Sequence, residues 1–153
     1  MDRRPAPPRH LDEVLTRLTE PNSRGERVFE TKQKGLMFAA AFGFTLQRRL
    51  PIDVKAPGIR YDVFEGAFDD SFIDALAVAV MGDLAVLSEE RSDERVDIFE
   101  EYAHGGLEEM RRVCFEQVGD PLDNLIRLTT TTRTPNSEIP GIDPSVLDGL
   151  LSR

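Results

Sequence analysis

Apolar residues recur along this chain at helical spacing, and proline, glycine and capping residues cut the recurrence into separate segments. Leu11, Val14, Leu15 and Leu18 follow the i, i+3, i+4, i+7 pattern of an amphipathic helix that Pro21 and Asn22 end. Thr31 is placed to cap a second helix running through Phe44, with Leu36, Met37, Ala40, Ala41 and Phe44 crowded on one side. The small residues Ala39 to Ala41 and Gly43 would admit another helix closely, so this segment is the expected central helix of the core.

The next stretch carries Pro51, Pro57 and Gly58 at turn positions, with two short β-branched or aromatic runs, 51–54 and 59–64. It reads as loop with at most a small hairpin. Asp69 or Asp70 then caps a helix over 71–82 in which Phe72, Leu76, Ala79 and Val80 share a face. Its nearly all-apolar interior predicts deep burial, and Gly82 supplies the stop. Ser92 is the natural cap of a charged helix whose Asp93 and Glu94 favour its positive end, and Val96, Ile98, Phe99 and Tyr102 form its inner face. Gly105 or Gly106 is expected to end that helix, and a new period through Leu107, Met110, Cys114 and Val118 runs to Gly119. Asp120 before Pro121 starts a further helix, because proline suits the first helical position.

These segments predict a mainly α protein, a compact bundle of six or seven helices with at most one small β-hairpin near residues 51–64. At 153 residues the chain fits one domain. Residues 1–9, rich in proline, read as a flexible arm; 10–128 as a single helical domain; 129–142, with its threonine run and breakers, as a linker; and 143–153 as a short C-terminal helix that could dock on the body or on another protein. No run approaches the roughly 18 apolar residues of a membrane span, and no apolar stretch follows the basic opening as in a secretory signal. Cys114 is the only cysteine, so no intrachain disulfide is available. A cytoplasmic protein without membrane contact is the expectation.

The net charge of −9 conceals a division. Residues 24–60 hold eight Lys or Arg against three acids, net +5, whereas residues 61–126 hold eighteen acids against four arginines, net −14. Such asymmetry bears on partners rather than on fold. Lys32, Lys34, Arg48, Arg49, Lys55 and Arg60 are the candidate residues for binding a partner or DNA, since a basic edge can meet phosphates. Neutralisation of that edge by the acidic helices is an equally good reading.

Catalytic chemistry finds little support. His10 and His104, the two histidines, lie far apart, and HxxxH, HExxH and CxxC are missing, so no metal site is expected. His104 and Cys114 could be base and nucleophile, but nothing places an orienting third group, and a core cysteine is the better reading. The adjacent acid pairs, such as Glu100 with Glu101 and Glu108 with Glu109, point about 100 degrees apart on a helix and read as a solvated face. A magnesium site would require Asp62, Asp69, Asp70 and Asp74 to converge, the premise of a cryptic metal-dependent nuclease. Neither GxGxxG nor GxxxxGK(S/T) occurs. No catalytic residue and no cofactor is assigned.

Three stretches carry a family resemblance: FETKQKGLMFAAAFGF at 29–44, the segment ending DLAVLSEE, and RVDIFEEYAHGGLEEM at 95–110 followed by GDPLDNLI. Together they resemble the DNA phosphorothioation-associated protein 4 family, also called Dnd system-associated protein 4, along about residues 28–128, with the element over 98–108 as the most specific piece. The resemblance implies a bacterial system that replaces a nonbridging phosphate oxygen of DNA with sulphur, together with restriction machinery that spares modified DNA. It implies no catalytic residues. A non-enzymatic accessory protein binding components of a sulphur-modification or restriction complex is therefore the leading expectation, with a DNA-binding module of the same anti-phage defence system as the alternative.

Overall fold

The computed structural model describes residues 2–131, and it is mainly helical. A 3₁₀ turn at Arg9–Leu11 leads into α1 (Asp12–Leu18), followed by α2 (Lys32–Thr45), α3 (Tyr61–Gly66), α4 (Asp70–Met81), 3₁₀ turns at Leu84–Leu87 and Glu89–Arg91, α5 (Ser92–Phe115) and α6 (Pro121–Thr131). The proposed C-terminal helix and all of the linker beyond Thr131 lie outside the described residues.

The organising element is α5, 24 residues long and so about 36 Å from end to end. It packs on α1, α2, α4 and α6 and is the centre of the bundle, the place that the sequence reading gave to α2. The glycine pair expected to end it lies inside it instead. A Cβ on Gly106 would stand 1.8 Å from the Ala39 carbonyl oxygen, one on Gly105 1.9 Å from that of Arg48, and one on Gly43 2.0 Å from that of Tyr102. Gly43 and Gly106 are therefore the contact surface of an α2–α5 crossing so close that backbone meets backbone, and Gly105 admits the turn that follows α2 in the same way. The packing gained across that crossing outweighs the roughly 1 kcal/mol that a helical glycine costs relative to alanine. Accordingly, α2 buries Leu36, Ala39, Ala40 and Gly43 rather than its large aromatics, and Phe38 and Phe42 pack at the edge of the core.

Some of the expected caps form, whereas Ser92 lies inside the first turn of α5 and caps nothing, Arg91 standing at the N-cap position. Thr31 accepts from the Lys34 amide at 3.2 Å, and the Asp120 carboxylate accepts from the Leu122 amide at 2.9 Å beside Pro121. Gly82 adopts the left-handed conformation after α4 (φ 66°). Asp69 precedes α4 without capping it, because its carboxylate accepts from Gln33 (2.6 Å) and Lys34 (2.7 Å) instead.

The structure refines several expectations. No hairpin, which the sequence allowed only as an option, forms near 51–64: Tyr61 to Phe64 belong to α3, and among the described residues the sole β-bridge joins Pro8 to Lys55. The proline-rich opening is extended, as its prolines require, but laid against the body. Pro5 and Pro7, having no N–H to satisfy, offer carbonyls that accept from the Ile59 and Ala56 amides at 2.9 Å, and the Arg9 amide donates to the Val54 carbonyl at 2.9 Å. Finally, α4 is not deeply buried. Ile73, Leu76 and Ala77 face the core while Ala75, Ala79 and Met81 are exposed, and Thr129 to Thr131 extend α6 into the expected linker.

Candidate functional site: an acidic apolar face and a histidine cleft

The six cations singled out in the sequence do not form one open patch. Lys32 pairs with Asp12 (2.9 Å), Lys34 with Asp69 (2.7 Å), Arg48 with Glu109 (3.9 Å), Arg49 with Glu101, Lys55 with Glu100 and Asp97, and Arg60 with Asp62. Each therefore has an acid beside it, and four of these acids, Asp97, Glu100, Glu101 and Glu109, stand on α5. Most of these pairs are solvent-exposed and contribute at most about 1 kcal/mol each to stability. Their consequence is electrostatic: the field of the basic segment is largely cancelled at short range.

The charge that remains is negative and lies elsewhere. Residues 61–90 contain eight acids and no lysine or arginine; Asp62, Asp69 and Asp74 pair with Arg60, Lys34 and Arg95 from outside the stretch, and Glu65, Asp70, Asp83, Glu89 and Glu90 make up the excess. The same stretch exposes apolar side chains: Val63 and Phe68 at one end of α4, and Met81, Leu84 and Leu87 at the other. Phe68 is 83% exposed and Leu84 70% exposed. Between α2 and α4 runs an apolar trough lined by Ala41 and Phe44 on one side and Phe72, Ala75 and Ala79 on the other.

Phe68 also has an uncommon backbone. Its φ of 59° is left-handed, and its amide and that of Asp69 donate to the Glu65 and Phe64 carbonyls at 3.0 and 2.9 Å, closing α3 in a Schellman motif where glycine is usual. A side chain there costs roughly 1–2 kcal/mol. The ring recovers little of this within the chain, being almost wholly in solvent.

A second feature escaped the sequence reading. His10 and His104 converge: their ring centroids are 5.4 Å apart, and His10 Nε2 lies 3.0 Å from Glu108 Oε1, with His104 Nε2 3.9 Å from the same oxygen. The atoms of these three residues that could hold a cation lie within 4.8 Å of one another. His10 and His104 line a cleft of about 470 Å³ together with Pro8, Arg9, Pro51 and Asp53. Burial alone would raise the Glu108 carboxyl, but the hydrogen bond from His10 and the charge of Arg111 hold it below the usual carboxylate range. The available signal was the i, i+4 spacing of His104 and Glu108; the position of His10 depends on the docked N-terminal segment. The three side chains thus converge although the two histidines stand far apart in the sequence.

Asp62, Asp69, Asp70 and Asp74 are not brought together in such a group; Asp74 instead pairs with Arg95 at 2.8 Å. Cys114 is 1% exposed, and burial pushes its thiol up to about 11. The thiolate being the reactive form, Cys114 should resist iodoacetamide at pH 8 in the native protein and react readily in denaturant, as mass spectrometry of the alkylated chain would show. Comparable labelling rates in both states would refute its burial.

Among the described residues no helix is long and apolar enough to cross a membrane. No curated protein and no solved structure matches the chain. One family model does match, over residues 5–143, thereby including the proline-rich segment and most of the stretch after Thr129 that the resemblance had left out. The match covers well over half of the sequence, and the chain belongs to the family of DNA sulphur modification system-associated protein 4.

Proposed function

We propose that the chain is an accessory interaction protein of the DNA sulphur modification system, without catalysis of its own, that receives an apolar helix of a protein component of that system in the trough between α2 and α4. The observation carrying this reading is the coincidence, over residues 61–90, of exposed apolar side chains with an excess of acids over the three that Lys34, Arg60 and Arg95 neutralise. Such a surface repels phosphate and suits a partner with an apolar centre and a cationic rim. The exposed, left-handed Phe68 supports it, since strain held without intramolecular return accumulates at functional positions.

The DNA-binding alternative has weaker support, because a phosphate approaching any of the six cations would compete with an acid already paired to it. It predicts a steep fall of affinity with salt and loss of binding when Arg48 and Arg49 are both changed to Glu.

Capture of purified components of the modification and restriction machinery on the full chain tests the proposal. Phe68→Gly is the informative variant: it should leave the stability to urea unchanged or raise it by up to roughly 1 kcal/mol of relieved strain, while weakening capture at least tenfold. Capture undiminished by both Phe68→Gly and Ala75→Arg would reject the trough as the docking site.

A further inference from the structure

We propose that His10, His104 and Glu108 form a binding site for a divalent transition-metal ion of the zinc class, which fastens the N-terminal segment to α5. Two imidazoles and one carboxylate are the donor set that such ions prefer over magnesium or calcium, whose ligands are oxygens. Tetrahedral bonds of 2.0–2.1 Å place neighbouring ligand atoms about 3.3 Å apart. Here Glu108 Oε1 stands 3.0 Å from His10 Nε2 and 3.9 Å from His104 Nε2, so small side-chain rotations would bring all three onto one ion.

The surrounding contacts orient the donors. His104 Nδ1 lies 3.0 Å from the Pro51 carbonyl oxygen and 3.3 Å from that of Leu50. A carbonyl only accepts, so Nδ1 carries the proton and Nε2 presents its lone pair to the cluster, the arrangement found behind most metal-bound histidines. Glu108 Oε2 accepts from Arg111 at 2.8 Å, leaving Oε1 turned to the histidines. His104 and Glu108 are one turn apart on α5, where the Gly105–Gly106 crossing fixes the backbone against α2. His10 is held by the Arg9–Val54 backbone bond immediately before it. The two histidines line the cleft, which leaves access for an ion and for a fourth ligand from solvent. Arg9 and Asp53, of opposite charge, line the same cleft. On binding, the ion takes the place of the proton between His10 Nε2 and Glu108 Oε1: a neutral His10 carries that proton on Nδ1 instead, by exchange with solvent, and a doubly protonated ring releases one proton.

This site is independent of the trough. The test uses the untagged full chain, stripped with chelator and titrated with Zn²⁺ by calorimetry and with Co²⁺ by visible absorption. One ion per chain is expected, with d–d bands of a four- or five-coordinate cobalt centre and a higher melting temperature in zinc. His104→Gln and Glu108→Gln should each weaken zinc binding at least tenfold, while Glu109→Gln, one residue away and paired with Arg112, should not. Far-ultraviolet circular dichroism establishes that each variant is folded, and His10→Ala supplies a variant at an exposed position if either α5 substitution unfolds. Absence of saturable binding to the folded wild type, or binding undiminished by the ligand variants, would overturn the site and leave His10–Glu108 as a simple hydrogen-bonded pair.

Discussion

Replacing Gly106 with alanine should destabilise the protein by about 3 kcal/mol or more, the upper range for overpacking. The sign is not obvious from the helix alone, because alanine in a helix interior is favoured over glycine by roughly 1 kcal/mol. The clash decides it. The new methyl would stand 1.8 Å from the Ala39 carbonyl oxygen and 2.7 Å from its carbon, and these are backbone atoms of α2 that no rotamer change can move. Relief requires α2 and α5 to separate, which would loosen Leu36, Ala39, Ala40 and Ala103 in the shared core. Gly66→Ala is the control: a Cβ there meets nothing within 4 Å, so the variant should be neutral or slightly stabilising. Urea denaturation of both variants checks the pair, and a Gly106→Ala midpoint equal to wild type would refute the close crossing.

Glu100→Ala should be the next most damaging, at roughly 3 kcal/mol. Glu100 is 1% exposed and gathers the N-terminal segment and the 54–59 loop onto α5: its carboxylate accepts from the Ala6 amide at 2.9 Å, from Arg3 at 3.1 Å and from Lys55. Arg3 and Lys55 are partly exposed and can turn to water or to Asp97, which keeps the cost at the lower end for a broken buried pair. The buried Ala6 amide has no such recourse. Glu100→Gln retains an acceptor for it and should lose about half as much. Beyond the shift in unfolding midpoint, trypsin should cut Glu100→Ala faster at Arg3, Arg4 and Arg9. Unchanged cleavage there would show that the segment is held by something else.

What the sequence made legible was whatever depends on neighbours within one helix. Leu11, Val14, Leu15 and Leu18 are all buried as their spacing requires, and Thr31 and Asp120 cap where they stand. What it concealed depends on a second segment. Gly105 and Gly106 signal a helix end by propensity, and only the facing carbonyls of Arg48 and Ala39 turn them into a contact surface. The six cations suggest an exposed edge until α1, α5 and Asp69 before α4 supply most of their acidic partners. The RPAPP opening suggests a loose arm because proline cannot extend a helix, yet its carbonyls are free to accept from Ala56 and Ile59. His10 and His104 meet for the same reason: 94 residues separate them, and the docking of that opening brings them together. The apolar content of α4 pointed to burial, whereas part of it is left outward beside the trough.

The proposed function has this family member engage a protein through its acidic apolar face rather than DNA through its basic residues. The most direct measurement is a parallel binding titration of purified modification-system components and of a DNA duplex against wild type, Phe68→Gly and the Arg48→Glu/Arg49→Glu double variant. The account predicts that a protein component binds wild type, that Phe68→Gly weakens this at least tenfold while the double variant does not, and that the duplex is not retained at physiological salt. Salt-sensitive retention of the duplex, abolished by the double variant and indifferent to Phe68→Gly, would contradict it.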